Sequence, residues 1–165
     1  MTTGKIDSRF SDAAATPTPW EAVERALEQA ELSWITTVRA DGRPHVTPLV
    51  FVFHDGAAHY CTGLREQKYR NLEHSPKVAL TTGTNTWAAG LDVVVEGTAV
   101  QVRDNAQLQR IADAYEAKYG AVWHFDVGDG VFLSEAGGDA AVFRIEAAKV
   151  LAFAKDPHAQ TTYGF

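Results

Sequence analysis

Ser33-Trp34-Ile35-Thr36-Thr37-Val38-Arg39-Ala40-Asp41-Gly42-Arg43-Pro44-His45-Val46-Thr47-Pro48-Leu49-Val50-Phe51-Val52-Phe53-His54-Asp55-Gly56-Ala57-Ala58-His59-Tyr60-Cys61-Thr62 is the stretch from which the fold is read. β-Branched and aromatic residues fill three runs, Ser33 to Arg39, Pro44 to His54 and Ala57 to Thr62, and an Asp-Gly pair separates each run from the next. Asp-Gly supplies the positive φ that tight hairpin turns require, so the three runs predict an antiparallel meander. Within it Leu49-Val50-Phe51-Val52-Phe53 is apolar at every position. A strand of that kind is covered on both faces, as in a closed barrel with helices or a partner subunit outside it.

The flanking sequence supplies the helices. Thr18-Pro19-Trp20-Glu21 carries an N-cap hydroxyl, a proline at the first helical position and a glutamate at the third, which predicts a helix to about Ala30. A second, short helix is expected from about Arg65 to His74, ended by Ser75-Pro76. Strands follow at 77–82 and 91–103. Asp104-Asn105-Ala106-Gln107 then repeats the capping logic ahead of Leu108, Ile111, Ala112, Tyr115 and Tyr119 at helical spacing. Glycine-rich residues 120–139 read as a long surface connection, and two last strands are expected at 140–145 and 150–155. No internal repeat is present. The pattern predicts an α+β, mainly β protein. Its division is a flexible arm over 1–17, one domain over 18–155, and a tail over 156–165.

Composition narrows the function classes. The 165 residues, 45% hydrophobic and 10% aromatic, suffice for one core. A formal charge of −6 argues against broad nucleic-acid binding, which needs a basic stripe to displace counterions. Cys61, the single cysteine, cannot form an intrachain disulfide or a thiolate metal cluster, and a reducing cytoplasm is the expected setting. Neither a secretory signal nor a run of roughly 18 apolar residues is seen, so no membrane partner is expected. No Gly-x-Ser-x-Gly elbow, Walker loop or dinucleotide fingerprint occurs. Asp126-Val127-Gly128-Asp129-Gly130 lacks the ligands of a calcium loop, and no metal is expected.

One segment stands out chemically. In Thr62-Gly63-Leu64-Arg65-Glu66-Gln67-Lys68-Tyr69-Arg70-Asn71-Leu72 a strand end and a glycine lead into a helix start bearing Arg65, Lys68 and Arg70. Unpaired amides at a helix N-terminus, with adjacent cations, can hold a phosphate. The plainer alternative is a solvated helix face balanced by Glu66 and Glu73. His45 shares a strand face with Thr47 and Leu49, either near a ligand or as an ordinary strand-edge histidine. His54 and His59 flank the second Asp-Gly turn and, without a third ligand, make a poor metal site. Cys61 reads as a small buried residue.

Residues Trp34 to Leu49, with their Asp-Gly-x-Pro turn and Thr-Pro strand, resemble the opening hairpin of the flavin-binding split β-barrel proteins, the pyridoxamine 5′-phosphate oxidase-like family. The next hairpin, Lys68-Tyr69-Arg70-Asn71-Leu72 and Pro76-Lys77-Val78-Ala79-Leu80 are similar to the same family. The match runs from about Glu21 to Ile145, and the tail Asp156 to Phe165 is similar to one actinobacterial-type branch. The resemblance implies a six- to seven-stranded antiparallel split β-barrel with flanking helices, assembled as a homodimer with two interface cofactor sites. By the same resemblance Lys68 and Arg65 are the phosphate cations and Thr62 a hydroxyl donor, while Thr47, Pro48, Leu49 and Val50 edge the cofactor ring. Trp87 and Gln160 come from the opposite subunit. The apolar strand Leu49 to Phe53 and the long strand over 91–102 also favour a homodimer, since they offer more apolar surface than one small barrel covers.

The implied activity is that of a flavin- or deazaflavin-dependent oxidoreductase moving hydride to or from a small organic molecule. The cofactor is FMN, with coenzyme F420 as the alternative. Arg39, Arg43 and Lys77 are the cations available to the longer anionic tail of F420. Vitamin B6 phosphate is not the expected substrate, because the Arg-Leu segment of the true oxidases has no counterpart in this tail. A non-catalytic protein of the same fold, holding flavin, F420 or a haem-like ligand, is the competing reading.

Overall fold

The computed structural model describes residues 3–133 and 138–165. In chain order the elements are β1 (Lys5–Ile6), α1 (Trp20–Gln29), β2 (Ser33–Val38), β3 (Pro44–Leu49), β4 (Val52–His54), β5 (Ala57–Gly63), α2 (Gln67–His74), β6 (Lys77–Thr82), β7 (Leu91–Val102), α3 (Asn105–Tyr119), a 3-10 turn (Ala121–Trp123), β8 (Asp126–Gly128), β9 (Val131–Leu133), β10 (Ala140–Lys155) and β11 (His158–Gly164). Every strand pairing among the described residues is antiparallel.

The sheet runs β1-β11-β10-β7-β6-β2-β3, with β5 and β9 also on β10 and β4 on β5. β10 organises it. One edge of β10 pairs with β7 over Val142 to Ala154; the other is divided, β5 taking Ala140 to Arg144 and β11 taking Lys149 to Lys155. That division is the split in the barrel. The sheet does not close, because β3 and β4 are its two barrel edges and the chain passes between them at Val50-Phe51. Counting β3 and β4 as the one strand expected over 44–54, the barrel has the anticipated strand number, and the mainly β split-barrel class holds.

Both Asp-Gly pairs turn the chain as expected. Asp55 and Gly56 both have positive φ (49° and 67°), the two-residue hairpin form, whereas at the first turn Gly42 alone is left-handed (84°) and closes a longer loop. Two cores result. Val23 and Leu27 of α1 pack on Ile35, Phe51, Tyr60, Leu80, Val95, Phe143 and Ile145 inside the barrel. Leu108, Ile111, Ala112 and Tyr115 of α3 pack on Val52, Val142 and Phe132 outside it.

Several expectations are corrected. The strand expected over 44–54 breaks at Val50-Phe51, where α3 takes over the backbone. Tyr119 Oη accepts from Phe51 N (3.2 Å) and donates to Phe51 O (2.7 Å), Lys118 Nζ donates to Phe51 O (3.1 Å), and Tyr115 Oη donates to Val50 O (3.3 Å). Pro19, not Thr18, takes the N-cap position of the first helix, without a side-chain cap, because the Thr18 backbone is held by the C-terminal strand: its N donates to Thr161 Oγ1 (2.9 Å) and its carbonyl accepts from the Tyr163 hydroxyl. Asp104 does cap α3, accepting from Gln107 N at 2.9 Å. The connection over 120–139 contains the β8–β9 hairpin, its strands too short to show a period; residues 134–137 lie outside the described residues.

The strands expected at 140–145 and 150–155 are one, β10, whose register on β7 slips between Ala147 and Lys149. Ile145 faces inward before the slip and Val150 after it, so the alternation changes phase and reads as a gap. The arm and the tail hold one another. β1 pairs with β11, Asp12 N donates to His158 O (2.9 Å), and Gln160 N donates to Ser11 Oγ (3.0 Å). Among the described residues no helix is long and apolar enough to cross a membrane.

Gly97 sits opposite the β10 bulge, where a Cβ would lie 2.3 Å from the Glu146 carbonyl oxygen. Gly97→Ala is therefore expected to lower unfolding free energy by about 1–3 kcal/mol, the usual cost of overpacking, measured by urea denaturation. Wild-type stability in that variant would show that the bulge yields freely.

Candidate functional site

The end of β5 and the start of α2 form a tight loop closed by the Glu66 carboxylate. Glu66 N donates to Gly63 O (3.0 Å), and Gly63 N donates back to Glu66 Oε1 (2.8 Å). Lys68 Nζ bonds the other oxygen, Glu66 Oε2. Lys68 is buried, as is Thr62. The α2 helix starts at Gln67, two residues later than expected, because Glu66 is extended and closes the loop with its side chain. Burial works to raise the Glu66 carboxyl, but the Lys68 ammonium and the Gly63 amide outweigh it and hold it below its ordinary range. An ammonium and a backbone amide thus already converge on a carboxylate, and the same donors suit a phosphate.

The adjoining wall is polar and ordered. Asn71 of α2, 1% exposed, donates to Thr37 Oγ1 (2.8 Å) and accepts from Gln67 Nε2 (2.8 Å). Thr37 lies opposite His45 across β2–β3, with its hydroxyl 3.4 Å from His45 Nδ1. Burial, then Arg39 and Lys68, push the His45 pKa below the usual histidine value. Thr47 shares this face, and its buried Oγ1 has no hydrogen-bond partner among the described residues. As the barrel's edge strand, β3 is hydrogen-bonded to β2 alone, which leaves its outer backbone amides and carbonyls unpaired by any described strand. Such an edge can bond the polar rim of a planar heterocycle.

The structure therefore gathers Lys68, Thr62 and Gly63, and sets His45 and Thr47 on a neighbouring strand. Leu49 faces the same way; Pro48 lies opposite Trp34 on the outer face, and Val50 lies at the break. Arg65 is exposed and lines a groove of about 500 Å³ with Gly63, Leu64, Glu66, Gly138 and Asp139. Trp87 and Gln160 both line a different groove of about 450 Å³, with Phe10 and Phe153. Gln160 is opposite Phe153 of β10, whereas Thr62 is opposite Ala141. Twelve strand residues separate those positions, up to roughly 40 Å. The two groups line separate grooves.

Glu66, Asn71 and Thr37 were not singled out from the sequence. Glu66 reads there as a balancing charge, and only the tertiary fold brings Asn71 to Thr37. His54 and His59 do face each other, with ring centroids 6.4 Å apart, and no group of three metal-ligating side chains occurs among the described residues. Burial pushes the Cys61 thiol up to about 11, which suits a packing role rather than a nucleophile.

The family model for pyridoxamine 5′-phosphate oxidase matches residues 19–154. The chain belongs to this family. No curated protein matches it. Among solved structures it is similar to the conserved hypothetical protein Rv2991 from Mycobacterium tuberculosis, with 19% identity over 88% of this chain and 89% of that one and a TM-score of 0.69. It is also similar to a heme binding protein from Mycobacterium smegmatis, with 17% identity, a TM-score of 0.71, and coverage of 92% of this chain but 60% of that one. General Stress Protein 26 from Bacillus anthracis shares 17% identity over 84% of this chain and 95% of that one, with a TM-score of 0.61. Likeness at these identities establishes the fold alone.

Lys68→Met should raise the His45 pKa, because it removes a cation that disfavours imidazolium, while Arg39 and burial remain. The check is an NMR titration of the His45 ring. An unmoved pKa would place Lys68 away from β3.

Proposed function

We propose that the protein is a homodimeric flavin-dependent oxidoreductase acting on a small organic molecule, with FMN as its cofactor. The carrying observation is the paired donor set of Lys68 Nζ and Gly63 N on one carboxylate, beside the open β3 edge with its unpartnered Thr47 hydroxyl. In this reading Lys68 and the Gly63 amide take over the cofactor phosphate from Glu66, assisted by Thr62 and Arg65. Backbone groups of Thr47 to Val50, with Thr47 Oγ1, bond the ring edge. His45, held neutral at pH 7, orients a polar group of the substrate through its free proton or lone pair. When bound, the flavin supplies the hydride chemistry; the chain positions, desolvates and tunes.

Two of the three cations available to an F420 tail are engaged elsewhere, which favours FMN. Arg43 pairs with Asp41 at 2.7 Å, and Lys77 Nζ donates to Thr98 Oγ1 at 3.1 Å. Dimerisation is supported by the outer face of β2–β3, where Trp34 is 40% and Val46 is 54% exposed, and by the separation of Trp87 and Gln160 from Thr62. In a dimer those two residues complete the partner's site. The competing reading, a non-catalytic ligand holder, draws on the similarity to the mycobacterial heme binding protein. Reduction of the bound flavin followed by substrate-dependent reoxidation separates the two.

Titration of apo protein with FMN and F420 in parallel tests the cofactor. Lys68→Ala should raise the FMN dissociation constant about ten- to hundredfold, since a charge-assisted bond contributes roughly 1.5–3 kcal/mol. The urea midpoint should change little, because the half-exposed Glu66 carboxylate left behind rehydrates. Unchanged affinity would return Lys68 to a structural ion pair. Light scattering should give twice the chain mass, and a stable monomer contradicts the dimer.

A further inference from the structure

On the α3 side of the sheet lies a second polar cleft that the cofactor reading does not use. Register sets Arg144 of β10 opposite His59 of β5, and His59 opposite Val52 of β4, so strand alternation puts Arg144, His59 and His54 on one face. Helix α3 closes over them with Gln107 and Arg110, one turn apart, leaving a cavity of about 140 Å³ that Asp55 also lines.

The floor of this cleft is unsatisfied. His59 is only 4% exposed, yet its Nδ1 is buried with no hydrogen-bond partner among the described residues. The buried His54 Nε2 also lacks a hydrogen bond, lying 3.4 Å from Asp55 Oδ2. Orphaned buried nitrogens are rare, and each costs free energy. Neither Arg110 nor Arg144 has an ion-pair partner among the described residues. In a chain of charge −6, two guanidiniums therefore face one carboxylate across two imidazoles. A water molecule would satisfy one imidazole nitrogen, but gives no reason for two guanidiniums to flank it.

We propose that this cleft binds a small oxyanion of the phosphate class, gripped by Arg110 and Arg144 and hydrogen-bonded from below by His59 and His54. Its size accommodates one tetrahedral anion. The site is separate from the cofactor loop. Along β5, His59 and Cys61 face α3, whereas Tyr60 and Thr62 face the barrel, and the two cavities share no lining residue. Free phosphate and the phosphate of a small metabolite present the same chemistry.

Burial, then Arg144 and His54, hold the His59 pKa down to about 4, opposed by a hydrogen bond with the Ala57 backbone and then by Asp55. A bound dianion reverses that balance, so the groups facing it (His54, Asp55, Arg110 and Arg144) make His59 a direct reporter. The test is an NMR titration of the His54 and His59 rings with inorganic phosphate and, separately, glycerol 3-phosphate, with no flavin present. Saturable shifts of both rings are expected, with the His59 pKa rising by at least about one unit. Arg110→Gln and Arg144→Gln should each weaken binding about tenfold.

Tighter binding of glycerol 3-phosphate identifies a metabolite; equal binding identifies free phosphate. Absence of saturable shifts up to about 20 mM phosphate, a level that still detects weak millimolar binding, overturns the proposal. So does wild-type affinity in Arg110→Gln, whose exposed helical position does not endanger folding.

Discussion

A buried peptide group without a strand partner must find its hydrogen bonds elsewhere, and the crossing at Val50-Phe51 is where this chain meets that demand. There the backbone leaves one barrel edge and joins the other, with Phe51 fully buried. Tyr115, Lys118 and Tyr119, on one side of α3, supply the missing partners. Burial lowers the Lys118 pKa to about 8, showing how far its ammonium is drawn from water to reach the Phe51 carbonyl, over whose ring it also sits at 4.5 Å. The helix thereby fixes the gap between β3 and β4 and leaves the free edge of β3 open to a ligand.

The rest of the site follows from that open edge. α2 is anchored to β2 through Asn71 and Thr37, which sets Lys68 near His45. Glu66 then occupies the donors that a phosphate would use, a self-satisfied state that keeps a buried lysine from standing unpaired. In the proposed function an anionic cofactor would exchange one anion for another there, with Glu66, half-exposed, swinging into water. On the far side of β5, no carboxylate among the described residues bridges the two arginines of the α3 cleft.

The meander was legible because its determinants are local: Asp-Gly turns, period-two runs and a doubly apolar segment. Lys68, Thr62 and Thr47 are legible as candidates through resemblance to a family, and the first two lie on α2 and β5, at either end of the turn that joins them. What was not legible depends on distant parts of the chain. The break at Val50-Phe51 requires α3, so a continuous apolar run gave no sign of it. The β10 bulge changes the alternation phase and made one strand look like two. Thr18 reads as a cap in the sequence because the β11 residues that hold its backbone lie more than a hundred residues away. Glu66 carried the wrong weight for the same reason: its importance lies in which donors reach it, and charge counting does not reveal that.

In the proposed dimer each cofactor site takes Lys68 from one chain and the Trp87–Gln160 groove from the other. Mixing a Lys68→Ala chain with a Trp87→Ala, Gln160→Ala chain tests it most directly, by FMN bound per subunit after denaturation and co-refolding. Each mixed dimer should contain one site built wholly from unaltered residues, restoring about a quarter of all sites from two variants that bind poorly alone, as two-fold symmetry requires. If the refolded mixture binds no more FMN than the two variants separately, the sites are not shared and the account is wrong at its centre.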